Sequence, residues 1–468
     1  MGNRKEGIIF INKALEAAND KSQPTNVPMA FQLFQSAVIA DPTLAEGWLH
    51  VGNACSDIKQ SASAVAAFRR MLELPLGTGI GDLNSDSKAK ALSNIGHQLQ
   101  KLGRTKEARK YTEKSLELNP NLSFAWMNLS LIERDECNTA KAVEWARKGF
   151  AVEMETETPR PLVEFALALA LLFNGQYAEG LARFESRFPY RLPQFASYPY
   201  PQWRGEEDKT VALVSEQGLG DVISFSRFIK PLCEKSRFVK FVVQPELTRL
   251  LRSMFQRVSN LEIIPSPAPF QAADCWTTPM SLPVALNLTT AEIANAPSVE
   301  ITAFQCPGGW KSPDRKLHIG VAWRGSSISD IDMHRSFSID NLLEIYRVPG
   351  VQLYSLQVGE PVKELHQSGC AALVRDLSPY IKDFADTVGL IRQLDLVVSV
   401  ESALAHLCGT MGKPCFVPYS HLGRDWRLGS KGENPLWYGK THRVFPQDED
   451  CRWEPVFEQI TQAVRDFA

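Results

Sequence analysis

Two stretches of the chain carry residue types that could do chemistry. In Ser215-Glu216-Gln217-Gly218-Leu219-Gly220-Asp221, a polar turn follows the β-type run Thr210-Val211-Ala212-Leu213-Val214 and leads into a helical pattern. Gly218 and Gly220 allow close backbone approach at a strand end, and Asp221 falls at the helix start. There it either caps the helix or, if the turn faces a cleft, accepts a proton from a substrate hydroxyl. The turn lacks the third glycine of a dinucleotide fingerprint, which speaks against a nicotinamide cofactor. In the second stretch, the apolar run Leu394 to Val400 stops at Glu401, Ser402 can cap a helix, and helical spacing continues to Gly412. A helix N-terminus beyond a strand end presents the amides of Ala403 and Leu404 to an anion such as phosphate. Ser402 and His406, four apart, share one helical face. The alternative is an ordinary strand-to-helix turn with a surface histidine.

The elements around the second stretch repeat its logic. Leu317 to Trp323 is a β run ending in Arg324-Gly325-Ser326, followed by a polar loop with His334, Arg335 and Ser336. Val351 to Gln357 is another, and Asp383-Phe384-Ala385-Asp386-Thr387 is a capped helix start. In one parallel sheet the strand ends with Arg324 and Ser326, with Gln357, and with Glu401 and Ser402 gather at a single edge, which favours a nucleoside diphosphate site. Asp330-Ile331-Asp332 imitates a D-x-D metal motif but follows no strand end. It reads as solvated acid, and no metal is predicted.

A chain of 468 residues is too long for one core. Hydrophobic content of 44% and charged content of 22% are those of a soluble globular protein. The net charge of −2 gives no overall pull toward nucleic acid or acidic membrane. A locally basic stretch, Arg424, Arg427, Lys431, Lys440 and Arg443, reads as a solvated or phosphate-facing surface rather than a DNA-binding one. Nine scattered cysteines without a C-x-x-C pair suit reduced thiols in the cytoplasm. The first residues show no signal-peptide core, and no apolar run reaches membrane-spanning length.

Internal repetition marks the N-terminal part. Trp48, Gly52, Ala64, Phe68 and Pro75 stand at the offsets of a tetratricopeptide repeat. Leu92, Gly96, Gly103, Ala108 and Pro120 repeat the pattern, as do Trp126, Leu129, Ala142 and Trp145; Leu92 and Trp126 lie one period of about 34 residues apart. Ala30, Phe34, Ala37 and Pro42 suggest an earlier half-repeat, Pro75 to Ser87 reads as a loop insertion, and Gly175, Tyr177, Gly180 and Phe184 look like a last, altered repeat. Such arrays bind polypeptide on a concave face or brace a neighbouring domain. From Lys209, strand runs at Val239 to Val243 and Leu261 to Ile264 alternate with helical patterns, a βαβαβ order. The expected domains are a repeat superhelix over residues 1–188, an aromatic and proline-rich packed linker over 189–208, and two Rossmann-like α/β domains over 209–308 and 309–468.

Together the repeats, the Gln217-Gly218-Leu219-Gly220-Asp221 turn, Trp323-Arg324-Gly325 followed by Arg335-Ser336, Ser355-Leu356-Gln357, Asp383 to Thr387 and Glu401 to Gly409 are similar to bacterial proteins that join tetratricopeptide repeats to a heptosyltransferase-like GT-B glycosyltransferase region. More distantly the layout resembles protein O-GlcNAc transferase. The resemblance implies inverting, metal-independent transfer from a nucleotide-sugar, without a cofactor, to an acceptor hydroxyl. Asp221 would be the base, and Trp323, Arg324, Gly325, Ser326, Arg335, Gln357, Glu401, Ser402, Ala403, Leu404 and His406 would line the donor site. The repeats would position a protein or peptide acceptor. The chain departs from the family's pattern at Glu401-Ser402, where Asp-Thr is usual, and at Arg324, where alanine is. Alternatives are an inactive scaffold and a transferase acting on modified DNA bases or glycolipid.

Overall fold

The computed structural model describes residues 3–19, 26–75, 84–269, 272–301, 304, 308–325, 332–429 and 436–467. Two compact units, Met1–Ala170 and Leu171–Ala468, divide the chain inside the helix Pro161–Phe173.

The first unit is built of helical hairpins: Arg4–Asn19 with Asn26–Ala40, Ala45–Asp57 with Ser61–Glu73, Ser85–Lys101 with Thr105–Leu118, and Ser123–Asp135 with Thr139–Met154. Small residues at the helix crossings explain the pairing. A β-carbon on Gly52 would stand 2.5 Å from the fully buried Phe68 ring, and one on Gly96 would collide with Thr112. The indole N–H groups of Trp48 and Trp126 donate to the carbonyls of Pro42 and Pro120 at 2.9 and 2.8 Å, so the same lock recurs in two repeats. Hairpin turns need a left-handed residue, supplied by Gly103 but elsewhere by Lys59 and Cys137. Two expectations change here. The half-repeat at Ala30 is a whole hairpin, because Ile11 and Ala14 of the preceding helix complete its core. The insertion ends sooner than Ser87: Asn84 accepts the Ser87 N–H and starts a helix at Ser85, while residues 76–83 lie outside the described set.

In the second unit the aromatic linker is packed. Phe188, Phe195 and Tyr198 surround Trp276, and backbone bonds tie Pro201 and Trp203 to Trp276. Two parallel sheets follow. β1 (Thr210–Val214), β2 (Phe238–Val243), β3 (Leu261–Pro265) and β4 (Cys275–Thr277) form one, in the order β3-β2-β1-β4. β5 (Leu317–Ala322), β6 (Val351–Ser355), β7 (Val374–Asp376), β8 (Leu396–Ser399), β9 (Cys415–Tyr419) and β10 (His442–Pro446) form the other, in the order β10-β9-β8-β5-β6-β7. β5, β6, β8 and β9 are buried on both faces, as in helix-covered parallel sheets. Counted from β5, this is the doubly wound order 3-2-1-4-5-6, whose switch point lies between β5 and β8. The helical pattern after Asp221, expected as one helix from Val222 to about Glu234, is broken into Leu219–Phe225, a 3₁₀ turn over Ser226–Phe228, and Ile229–Lys235. Pro231 has no N–H for the Arg227 carbonyl, so one continuous helix cannot form.

Replacing Gly52 with alanine should destabilise the first unit by about 1–3 kcal/mol, since the new methyl would overlap the fully buried Phe68 ring. Chemical denaturation followed by circular dichroism should show the lowered midpoint, and an unchanged midpoint would contradict this packing.

Candidate functional site

The carboxyl ends of the two sheets supply the charged residues. After β1, Gln217 takes the left-handed conformation and Gly218 starts the helix Leu219–Phe225. Asp221, third in that helix, accepts the Gly218 N–H through Oδ2 at 2.9 Å, so this oxygen secures the helix start from the third position while Gly218 is the N-cap. Its Oδ1 faces Arg427 Nη2 at 2.8 Å, and the side chain keeps 18% exposure. Gly220 is required by close approach: a β-carbon there would stand 2.7 Å from the His406 ring and 3.2 Å from Ala403 Cα. The turn after β1 therefore lies against the first turn of the helix Ala403–Met411.

That helix follows β8, with Ser402 at its N-cap. The Ser402 side chain makes no capping bond and instead bonds Ser399 Oγ at 3.1 Å. Glu401 is buried and accepts the Asp425 N–H at 3.1 Å. Burial, with repulsion from Asp425, pushes the Glu401 carboxyl up to about 8 against the pull of Arg335 and Arg427. Arg335, in the one-turn helix Asp332–Arg335, thus acts on Glu401. His406 is not a surface residue. It is 4% exposed, hydrogen-bonded through Nδ1 to the Tyr438 hydroxyl at 2.7 Å, with Nε2 3.5 Å from Asp425. Burial and Arg427 lower its pKa against the Asp425 hydrogen bond, which favours the neutral ring.

The loop after β5 corrects several expectations. Trp323 is fully buried in the core of its sheet and donates its indole N–H to Glu364 at 2.9 Å, so it is a packing residue. Arg324 is no bare cation: its guanidinium pairs with Glu364 at 3.0 Å. Gln357 spends its amide on the loop, accepting the Trp323 and Arg324 N–H groups at 3.1 and 3.0 Å. It positions the strand end and has little left for a ligand. The Gly325 N–H donates to Ser336 Oγ at 3.3 Å. Ser326 and the Asp330-Ile331 pair lie outside the described residues. No cluster of three or more metal-ligating side chains occurs among the described residues.

Sequence reasoning missed Asp425 and Tyr438 and misjudged Arg427. Arg427 is 6% exposed, its Nε bonds Asp425 at 2.9 Å, and its Nη2 pairs with both Asp425 and Asp221. Burial opposes the Asp425 charge, but Arg427 and the His406 hydrogen bond outweigh it and hold this carboxyl well below the usual range. Tyr438 donates to Ser224 Oγ at 2.9 Å, and Trp437 donates to the same oxygen at 2.9 Å. Arg424 is also buried and donates to the Ser420 carbonyl. Arg424 and Arg427 therefore do not belong to a solvated basic surface; only an Asp interleaved between two arginines hinted at this.

Comparison with known proteins adds context. A tetratricopeptide repeat model matches residues 89–122. Over 95% of this chain and 76% of the other, the sequence is 25% identical to Protein FlbA of Caulobacter vibrioides. Among solved structures, the MamA protein is 16% identical, spans 42% of this chain and 96% of its own, and superposes with a TM-score of 0.30. YrrB, a TPR protein with an unusual peptide-binding site, is 15% identical over 40% of this chain and 88% of its own, with a TM-score of 0.28. No helix among the described residues is long and apolar enough to cross a membrane.

The folded state binds the Glu401 proton more tightly than the unfolded chain, holding it from the ordinary carboxylate range up to about pH 8. Its contribution to stability is lost as pH rises through that window. Urea denaturation at pH 6.5 and 8.5 should show the wild type losing about 2 kcal/mol relative to Glu401→Gln, which mimics the protonated acid. Parallel behaviour of the two proteins would contradict a raised Glu401.

Proposed function

We propose that the chain is an inverting, metal-independent glycosyltransferase with a GT-B pair of α/β halves, moving a sugar from a nucleoside-diphosphate donor to an acceptor hydroxyl. One observation carries this. The Asp221 turn at the carboxyl end of β1 packs against the uncapped N-terminus of Ala403–Met411 at the switch point of the second sheet. A base and an anion-ready helix end at such short range suit displacement of a diphosphate. Asp221 would take the acceptor proton as the acceptor oxygen bonds the anomeric carbon. The bond from that carbon to the diphosphate oxygen would break, and its electron pair would leave on the diphosphate. The Ala403 and Leu404 amides would meet the growing charge, each such donor being worth about 3 kcal/mol at the barrier. Of the expected side chains, Arg324 suits this role poorly, because Glu364 occupies its guanidinium.

The tetratricopeptide hairpins support a polypeptide acceptor, since such arrays commonly bind peptides or proteins. The name of the FlbA relative says nothing of activity. A scaffold without activity is the second reading, favoured by the engagement of both Asp221 oxygens. Burial of Arg424 and Arg427 weakens the case for a DNA acceptor.

Asp221→Asn should lower transfer by about a hundredfold or more while nucleotide-sugar binding persists. Unchanged turnover in that variant would remove Asp221 as base. A wild type that binds no nucleotide sugar in calorimetry would favour the scaffold.

A further inference from the structure

Arg427 holds a donor in reserve. Its Nε and Nη2 are engaged by Asp425 and Asp221, but the buried Nη1 has no hydrogen-bond partner among the described residues. A buried charged donor left unmatched is costly, and folded proteins keep few without a use. The guanidinium stands among Asp221, Glu401, Asp425 and His406, whose charges act on or with it, and so borders the first turn of Ala403–Met411. Ser402 leaves that turn's amides uncapped. A cation with an unmatched N–H, paired to the Asp221 turn that packs on an uncapped helix end, calls for an anion.

The two carboxylates that hold Arg427 differ in how firmly they do so. Asp425 grips it through two guanidinium nitrogens, lies 3.5 Å from His406 Nε2, and is 9% exposed. Asp221 reaches it through one oxygen only and is 18% exposed. An incoming anion would displace Asp221 first.

Resting on the glycosyltransferase reading above, we propose that Arg427 is shared between the base and the leaving group. Its Nη1, together with the Nη2 hydrogen that Asp221 now holds, takes diphosphate oxygens of the donor, so the diphosphate competes with Asp221 for that edge of the guanidinium. Donor binding loosens the Asp221–Arg427 pair and frees the carboxylate to face the acceptor hydroxyl. Before the donor arrives, the base is held.

A double-mutant cycle on the full chain tests this, read by calorimetric titration with ADP, GDP, UDP and dTDP in EDTA. Asp221→Asn should tighten the nucleoside diphosphate that binds by about threefold or more, by removing its competitor. Arg427→Lys keeps a charge but loses the planar fork, and should weaken binding about tenfold. In the Arg427→Lys background, Asp221→Asn should no longer tighten binding. Equal tightening in both backgrounds would reduce the effect to net charge and overturn the sharing. No change with Asp221→Asn in the wild-type background would overturn it as well, even if Arg427→Lys failed to fold. Absence of binding by all four nucleotides would instead overturn the glycosyltransferase reading on which it rests.

Discussion

The charged centre of the second unit depends on one buried cation held by two carboxylates. Arg427 lies between Asp425 of its own loop and Asp221 of the other sheet's first turn, with all three largely withdrawn from water. Bringing such charges together in low dielectric costs several kcal/mol per ion and is recovered only when the geometry is good, so removing one partner costs about 3–5 kcal/mol. The surroundings follow from that constraint. Burial and the neighbouring arginine keep His406 neutral, burial and Asp425 press Glu401 toward its protonated form, and Tyr438, whose hydroxyl burial pushes up to about 12, bonds His406 and Ser224 as a neutral phenol.

The backbone sets where this can happen. In the order β10-β9-β8-β5-β6-β7, chain connections run to opposite sides from β5 and β8, leaving a crevice beyond their carboxyl ends. Glu401 and the loop from Trp323 to Gly325 occupy that crevice. In the smaller sheet the equivalent place, beyond β1 and β4, is filled by the chain itself. The fully buried Arg187 pairs with Glu216 at 2.7 Å and bonds Thr278 and Ser281 at 3.0 and 2.8 Å. The smaller sheet thus offers its Asp221 turn to the site, but its own crevice is closed.

Elements were more legible in the sequence than side-chain roles. Repeat offsets located helices because a missing β-carbon, as at Gly52 against Phe68, is a local requirement visible in residue type. The strand-turn-helix at Glu401 to His406 was readable because β runs and caps are also local. Which way a strand-end side chain points is not. Trp323 and Gln357 stand where ligand-binding residues stand, yet one turns into the core and the other secures its neighbour's backbone. Asp425 and Tyr438 were missed because they come from loops after β9 and before β10, and only the tertiary fold brings those loops to His406. Arg427 looked like a surface cation because composition cannot register a carboxylate arriving from more than two hundred residues earlier.

The helix end at Ala403 is the point at which the account is most exposed to test. A crystal structure of the chain soaked with nucleoside diphosphates should show the diphosphate on the Ala403 and Leu404 amides, within reach of Asp221, and without a metal ion. A diphosphate bound elsewhere, or bound at that helix end only through a divalent cation, would contradict the account.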